Sequence, residues 1–172
     1  MRFVISGLLA SLMGLVSVAA SSQDTKPAVG EKFGAWTFHC QAITADHNVC
    51  AIVQTVVWKK SQRQVMRAVV RPIGKEQKRL GLFVTLPLGI HLAPAVAGKV
   101  GDGEQFKFIM QRCTQNGCEA AVRVDDKLKS ALEKGNQLVV GFKPSSAANA
   151  KPVGVRISLN GFTAGTKQLM TK

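Results

Sequence analysis

The side chains equipped for covalent or metal chemistry are four cysteines, Cys40, Cys50, Cys113 and Cys118, and three histidines, His39, His47 and His91. Zinc would want C-x-x-C or mixed Cys/His spacings, and a redox dithiol would want C-x-x-C. Four residues separate Cys113 from Cys118 and no histidine lies near them, so neither pattern is met. An even number of cysteines reads instead as two structural disulfides. Cys40 with Cys50 and Cys113 with Cys118 is the preferred pairing, because each bridge closes a short segment. Loop entropy gives those closures about 2.8 and about 2.2 kcal/mol. A long-range pairing such as Cys40 with Cys113 would gain more by the same arithmetic, so locality and not energy carries the choice.

The histidines are scattered, and neither G-x-S-x-G nor H-E-x-x-H occurs. His39, beside Cys40, reads as a surface or packing residue of a strand, and Asp46-His47 as turn chemistry. The 10 acidic residues form no paired-carboxylate motif. Asp102-Gly103-Glu104 lacks the successive oxygen ligands of a calcium loop and reads as a tight turn. Gly101-Asp102-Gly103 is followed by neither Lys-Ser nor a helix, so it is no phosphate cradle. The expectation is a protein that is not an enzyme and uses no cofactor and no metal.

Charge is the remaining functional signal. There are 23 Lys and Arg against 10 Asp and Glu, a formal +13. The densest stretch, residues 59–79, holds eight basic residues and one acid, Glu76. Within it Lys59, Lys60, Arg63, Arg67 and Arg71 are the candidate site for an anionic partner. In an extended strand Arg63, Arg67 and Arg71 would share a face, since side chains repeat every second residue. The competing reading is a solvated surface, because a basic total alone names no ligand. Lipid headgroups, lipid A, sulfated glycans or a protein of the envelope or host would fit such a surface. Nucleic acid fits less well, because there is no Tyr and the eight Phe fall at core spacings.

These residues need a scaffold outside the cytoplasm. Arg2, an uncharged apolar run from Phe3 to Val18 and the small residues Ser17-Val18-Ala19-Ala20-Ser21 form a three-part secretory signal over residues 1–20. The run is shorter than the roughly 20 apolar residues a bilayer span needs, so cleavage is expected, leaving a soluble chain of formal charge +12. Residues 21–32 read as a flexible leader, and residues 33–172 as one domain. Short β-prone runs recur between turn signals, among them a hairpin of residues 50–58 and 65–70 and a second about Asn116-Gly117. Residues 125–134 alone carry a helical pattern, with Leu128, Ala131 and Leu132 on one face, Asp125 as cap and Gly135 as stop. Residues 162–170 are open between a last strand and a short helix. The fold expected is an all-β sandwich with one short helix near residues 125–134.

A set of landmarks recurs through the chain: Phe33-Gly34-Ala35-Trp36, Cys40, Cys50, Leu86-Pro87-Leu88-Gly89, Gly101-Asp102-Gly103, Cys113, Gly117-Cys118-Glu119-Ala120 and Ser158-Leu159-Asn160-Gly161-Phe162. Their order and spacing resemble the invasion-associated locus B family of exported bacterial proteins, over nearly the whole of residues 33–172. Ala35 stands where that family often has Asp. The resemblance implies an immunoglobulin-like β-sandwich in the periplasm or outer envelope of a Gram-negative bacterium, or secreted from it. It brings no catalytic residues. The founding member is associated with entry into host red cells, while many relatives belong to free-living or symbiotic bacteria. A contribution to host-cell interaction is therefore what the resemblance implies, and invasion itself is not safe to transfer. Two rivals remain: an envelope hydrolase whose site is assembled from scattered residues, and a chaperone-like module that offers a strand edge.

Overall fold

Strict alternation decides which side of each strand is buried. In the segment Gln64–Ile73, Met66, Ala68 and Val70 are fully buried while Arg67 between them is exposed. The computed structural model describes residues 28–44 and 47–171; the expected secretory signal lies outside them. The strands are β1 (Lys32–Phe33), β2 (Trp36–Thr44), β3 (His47–Val57), β4 (Gln64–Ile73), β5 (Arg79–Leu86), β6 (Ala97–Val100), β7 (Gln105–Lys107), β8 (Ile109–Thr114), β9 (Gly117–Val124), β10 (Gln137–Phe142) and β11 (Val153–Ser158). Helix α1 (Asp126–Lys134) follows β9, and α2 (Phe162–Met170) follows β11.

The strands form two antiparallel sheets, one ordered β1-β2-β3-β4-β5-β9-β8 and the other β11-β10-β6-β7. Ile52, Met66, Val70, Leu82 and Val84 from the larger sheet and Leu138, Val140 and Ile157 from the smaller belong to one buried core. Each such side chain contributes about 1.5–3 kcal/mol by leaving water. The β-sandwich expected from the sequence is therefore present.

Polar groups join the two layers as well. The Gln54 side chain on β3 donates to the Ser158 carbonyl at 2.9 Å and accepts from the Ser158 amide at 2.9 Å. The Trp36 indole donates to the same carbonyl at 3.0 Å, and its ring meets Phe162 edge-on at 5.8 Å.

Helix α1 forms where its caps place it: the Asp125 carboxylate accepts from the Leu128 amide at 2.8 Å, and the Gly135 amide closes on the Ala131 carbonyl at 2.9 Å. Two local expectations are corrected. The described residues form two helices, not one, because residues 162–170 coil into α2 and bury Phe162, Gly165 and Thr166. The leader does not run free to residue 32: the Gly30 amide donates to the Phe38 carbonyl at 2.8 Å and the Phe38 amide returns to the Glu31 carbonyl at 2.8 Å. The hairpin expected about Asn116-Gly117 is present: Thr114 pairs with Gly117, and Gln115 and Asn116 form the turn. Gly117 (φ 128°) answers a different demand, since a Cβ there would overlap the Leu86 carbonyl of β5.

Candidate functional site

Residues directly opposite on neighbouring antiparallel strands point to the same face. On the outer face of the larger sheet one row runs Thr55, Arg67, Thr85, Glu119, Arg112. The next runs Val53, Val69, Phe83, Ala121. Beyond it, Arg71 and Arg123 flank Gly81, which has no side chain to separate them. Four arginines from three strands thus frame an apolar strip. A depression of about 540 Å³ holds most of this face, with His39 and Gln41 of β2 at its far side.

The Arg71 guanidinium lies 4.3 Å from the centre of the Phe83 ring, a stacked arrangement that leaves its N–H groups free for an anion. Among the described residues the ion pairs are Lys78–Glu76, Lys127–Glu104 and Lys129–Glu133. None involves a face arginine, and Glu119 is the only acid on the rows described. The Glu104–Lys127 contact is 2.6 Å long and holds the Glu104 carboxyl below its usual range, first by the hydrogen bond and then by the neighbouring charge.

The structure divides the five residues singled out from the sequence. Arg67 and Arg71 belong to the face. Lys59, Lys60 and Arg63 sit in the β3–β4 turn, where the Trp58 amide donates to the Arg63 carbonyl at 2.8 Å. Arg63 leaves the face because the register slips: Val56 pairs with Met66 but Val57 with Gln64, so Val65 has no partner and the parity beyond it reverses. Arg112 and Arg123 were missed. The strand β8 of Arg112 does not alternate, with a register shift between Met110 and Arg112, and nothing local announces that β9 pairs with β5 and carries β8 beside it.

The histidines are not assembled. His47 opens β3, and His39 faces outward from β2. The His91 amide donates to the Lys143 carbonyl at 2.9 Å, and its Nδ1 is buried without a hydrogen-bond partner. His39 and Glu119 share the face but lie four strand spacings apart, about 19 Å at the usual separation. No group of three His, Cys, Asp or Glu among the described residues is placed to hold a metal ion. Both disulfides join residues directly opposite on adjacent strands, Cys40–Cys50 across β2 and β3 and Cys113–Cys118 across β8 and β9, each with 4.0 Å between Cα atoms.

The family model described as invasion associated locus B (IalB) protein matches residues 36–170. The fold is similar to the crystal structure of invasion associated protein B from Bartonella henselae, with a TM-score of 0.72. That likeness covers 83% of this chain and 95% of that one at 23% sequence identity. No curated protein matches the sequence.

Proposed function

The chain belongs to the invasion associated locus B family, and from that premise we propose that it is a non-enzymatic binding module of the bacterial envelope. It holds a polyanionic partner on the outer face of its seven-stranded sheet. The observation that carries this reading is the set Arg67, Arg71, Arg112 and Arg123, gathered on one face with no carboxylate within ion-pair distance among the described residues. Guanidinium groups spaced along a concave face suit an extended anion, such as a sulfated glycan, the phosphorylated sugars of lipid A or an acidic stretch of an envelope or host protein. The two disulfides favour an oxidising location, the periplasm, the outer envelope or the medium. The helices described are none of them long and apolar enough to cross a membrane.

The hydrolase reading needs a base beside its orienting carboxylate, and the separation of His39 from Glu119 gives it no support. For the strand-edge reading, the sheet edges are β1, β8, β11 and β7, and β8 bounds the larger sheet beside the arginine face. That strand carries Arg112 outward, a register shift between Met110 and Arg112, and a disulfide to its neighbour, features that discourage pairing with another chain.

The test is binding to immobilised heparin and to the deacylated, phosphorylated sugar of lipid A, which presents no bilayer, across a salt series. Saturable binding that persists at about 0.15 M salt and is lost in R67E/R71E is the expected result. Binding to both that fades by that salt, or that is equal in R67E/R71E, would overturn the assignment.

A further inference from the structure

Three chain segments leave the larger sheet side by side at one end. Arg67 pairs with Thr85, so β4 begins where β5 finishes, and the 58–63 turn adjoins residues 87–89. Leu86 pairs with Cys118, which brings the turn between β8 and β9 to the same end. These segments contain Lys59, Lys60 and Arg63 and no acid. The opposite end is mixed, with Glu76 between Lys75 and Lys78 in the β4–β5 turn and Asp125 and Asp126 after β9.

The basic end is also apolar at its tips. Trp58 is 61% exposed and Leu88 55%. Exposed Leu92 follows Leu88 in the same loop, which the His91 amide ties to the Lys143 carbonyl. The turn is built to present Trp58 outward: the Ser61 and Gln62 amides both fold back on its carbonyl, at 3.2 and 2.8 Å. A row of protruding tips with large apolar side chains among lysines fits a deformable plane. It does not fit a ligand that needs a cavity, and the concavities described are lined by other residues.

We propose that this end docks on an anionic phospholipid surface, Trp58 and Leu88 entering the headgroup layer while Lys59, Lys60 and Arg63 meet lipid phosphate. Tryptophan favours that depth because its ring is apolar and its N–H still finds a partner. Basic residues beside it add attraction to an anionic leaflet. The site is separate from the arginine face, which would then stand away from the bilayer, open to its own partner.

The sequence contains its own reporter. The other tryptophan, Trp36, is buried at 1% exposure, so a change of emission on adding lipid belongs to Trp58. The chain processed after Ala20 keeps every described residue and is mixed with vesicles of phosphatidylcholine, with or without phosphatidylglycerol. A blue shift with the anionic vesicles, quenching by lipids brominated on their acyl chains, and loss of both in W58F are expected. K59Q/K60Q should weaken partitioning about 25-fold, from roughly fivefold per basic residue, while R67E/R71E keeps the shift. Absence of a shift at low salt would overturn the proposal. So would a shift that persists in W58F, or binding abolished by R67E/R71E but not by K59Q/K60Q, which would hand the lipid to the sheet face.

Discussion

The backbone amide of Ala35 donates to the carbonyl of Asn160 at 3.0 Å, joining the start of the domain to the entry of its last helix. On either side the backbones touch without side chains between them. A Cβ on Gly34 would come within 2.6 Å of the Asn160 oxygen, and one on Gly161 would overlap the Phe33 carbonyl. The two glycine-containing landmarks at opposite ends of the sequence are thus two halves of one contact. The position between Gly34 and Trp36 serves through its main-chain amide while its side chain is exposed, so Ala suits it as well as Asp.

Gly161 is the most exposed point of that contact to mutation. It combines a left-handed backbone (φ 85°) with no room for a methyl group. G161A should lower stability by about 2–4 kcal/mol, strain and displaced backbone acting together. Denaturant unfolding would show the midpoint falling with the slope unchanged.

Gln54 makes two hydrogen bonds to Ser158 between the sheets, so Q54A should cost about 1.5–3 kcal/mol. W36F removes one donor from the same carbonyl. Because both mutations act on one acceptor, the double mutant W36F/Q54A should depart from additivity by more than about 0.5 kcal/mol. A double-mutant cycle measured by equilibrium unfolding checks this.

Removing the bridges separately by C40S/C50S and C113S/C118S should cost about 2.8 and about 2.2 kcal/mol from loop entropy. The expected order is that the Cys40–Cys50 variant melts at the lower temperature. Equal melting of the two variants and the parent would show that the larger sheet holds its register unaided.

Electrostatics should appear as a salt effect. With Arg67, Arg71, Arg112 and Arg123 lacking partners among the described residues, moderate salt screens their mutual repulsion and should raise the melting temperature at neutral pH. The Glu104–Lys127 pair works in the other direction. Since folding lowers the Glu104 carboxyl, its contribution is present above the ordinary carboxylate range and lost as pH falls through the lowered value. Both groups are exposed, so E104Q should leave melting at neutral pH nearly unchanged and flatten only the acid limb.

Local chemistry was readable in the sequence wherever local chemistry decides structure. The Asp125 cap and the Gly135 stop marked α1, and alternation marked β4. Helix α2 was ambiguous because Thr163, Gly165 and Thr166 are poor helix formers; packing settles it, with Gly165 seated against Ile52. The arginine face was half legible. Arg67 and Arg71 follow from alternation in one strand, but Arg112 and Arg123 join them only through strand order, a non-local property. The loss of Arg63 turns on the unpaired Val65, a one-residue slip that the composition of the turn does not announce.

The junction of Phe33-Gly34 with Asn160-Gly161 also bears on how the chain reaches its native state. Its amino-terminal half comes from residues synthesised among the first of the domain and its carboxy-terminal half from residues synthesised nearly last. Trp36 must find Ser158 across 122 positions of chain. Such separation raises the contact order and slows folding, and it ties completion of the domain to the synthesis of residues 158–162. Until then the first strands wait with open edges, so the nascent chain is expected to need a holding partner that the finished protein does not.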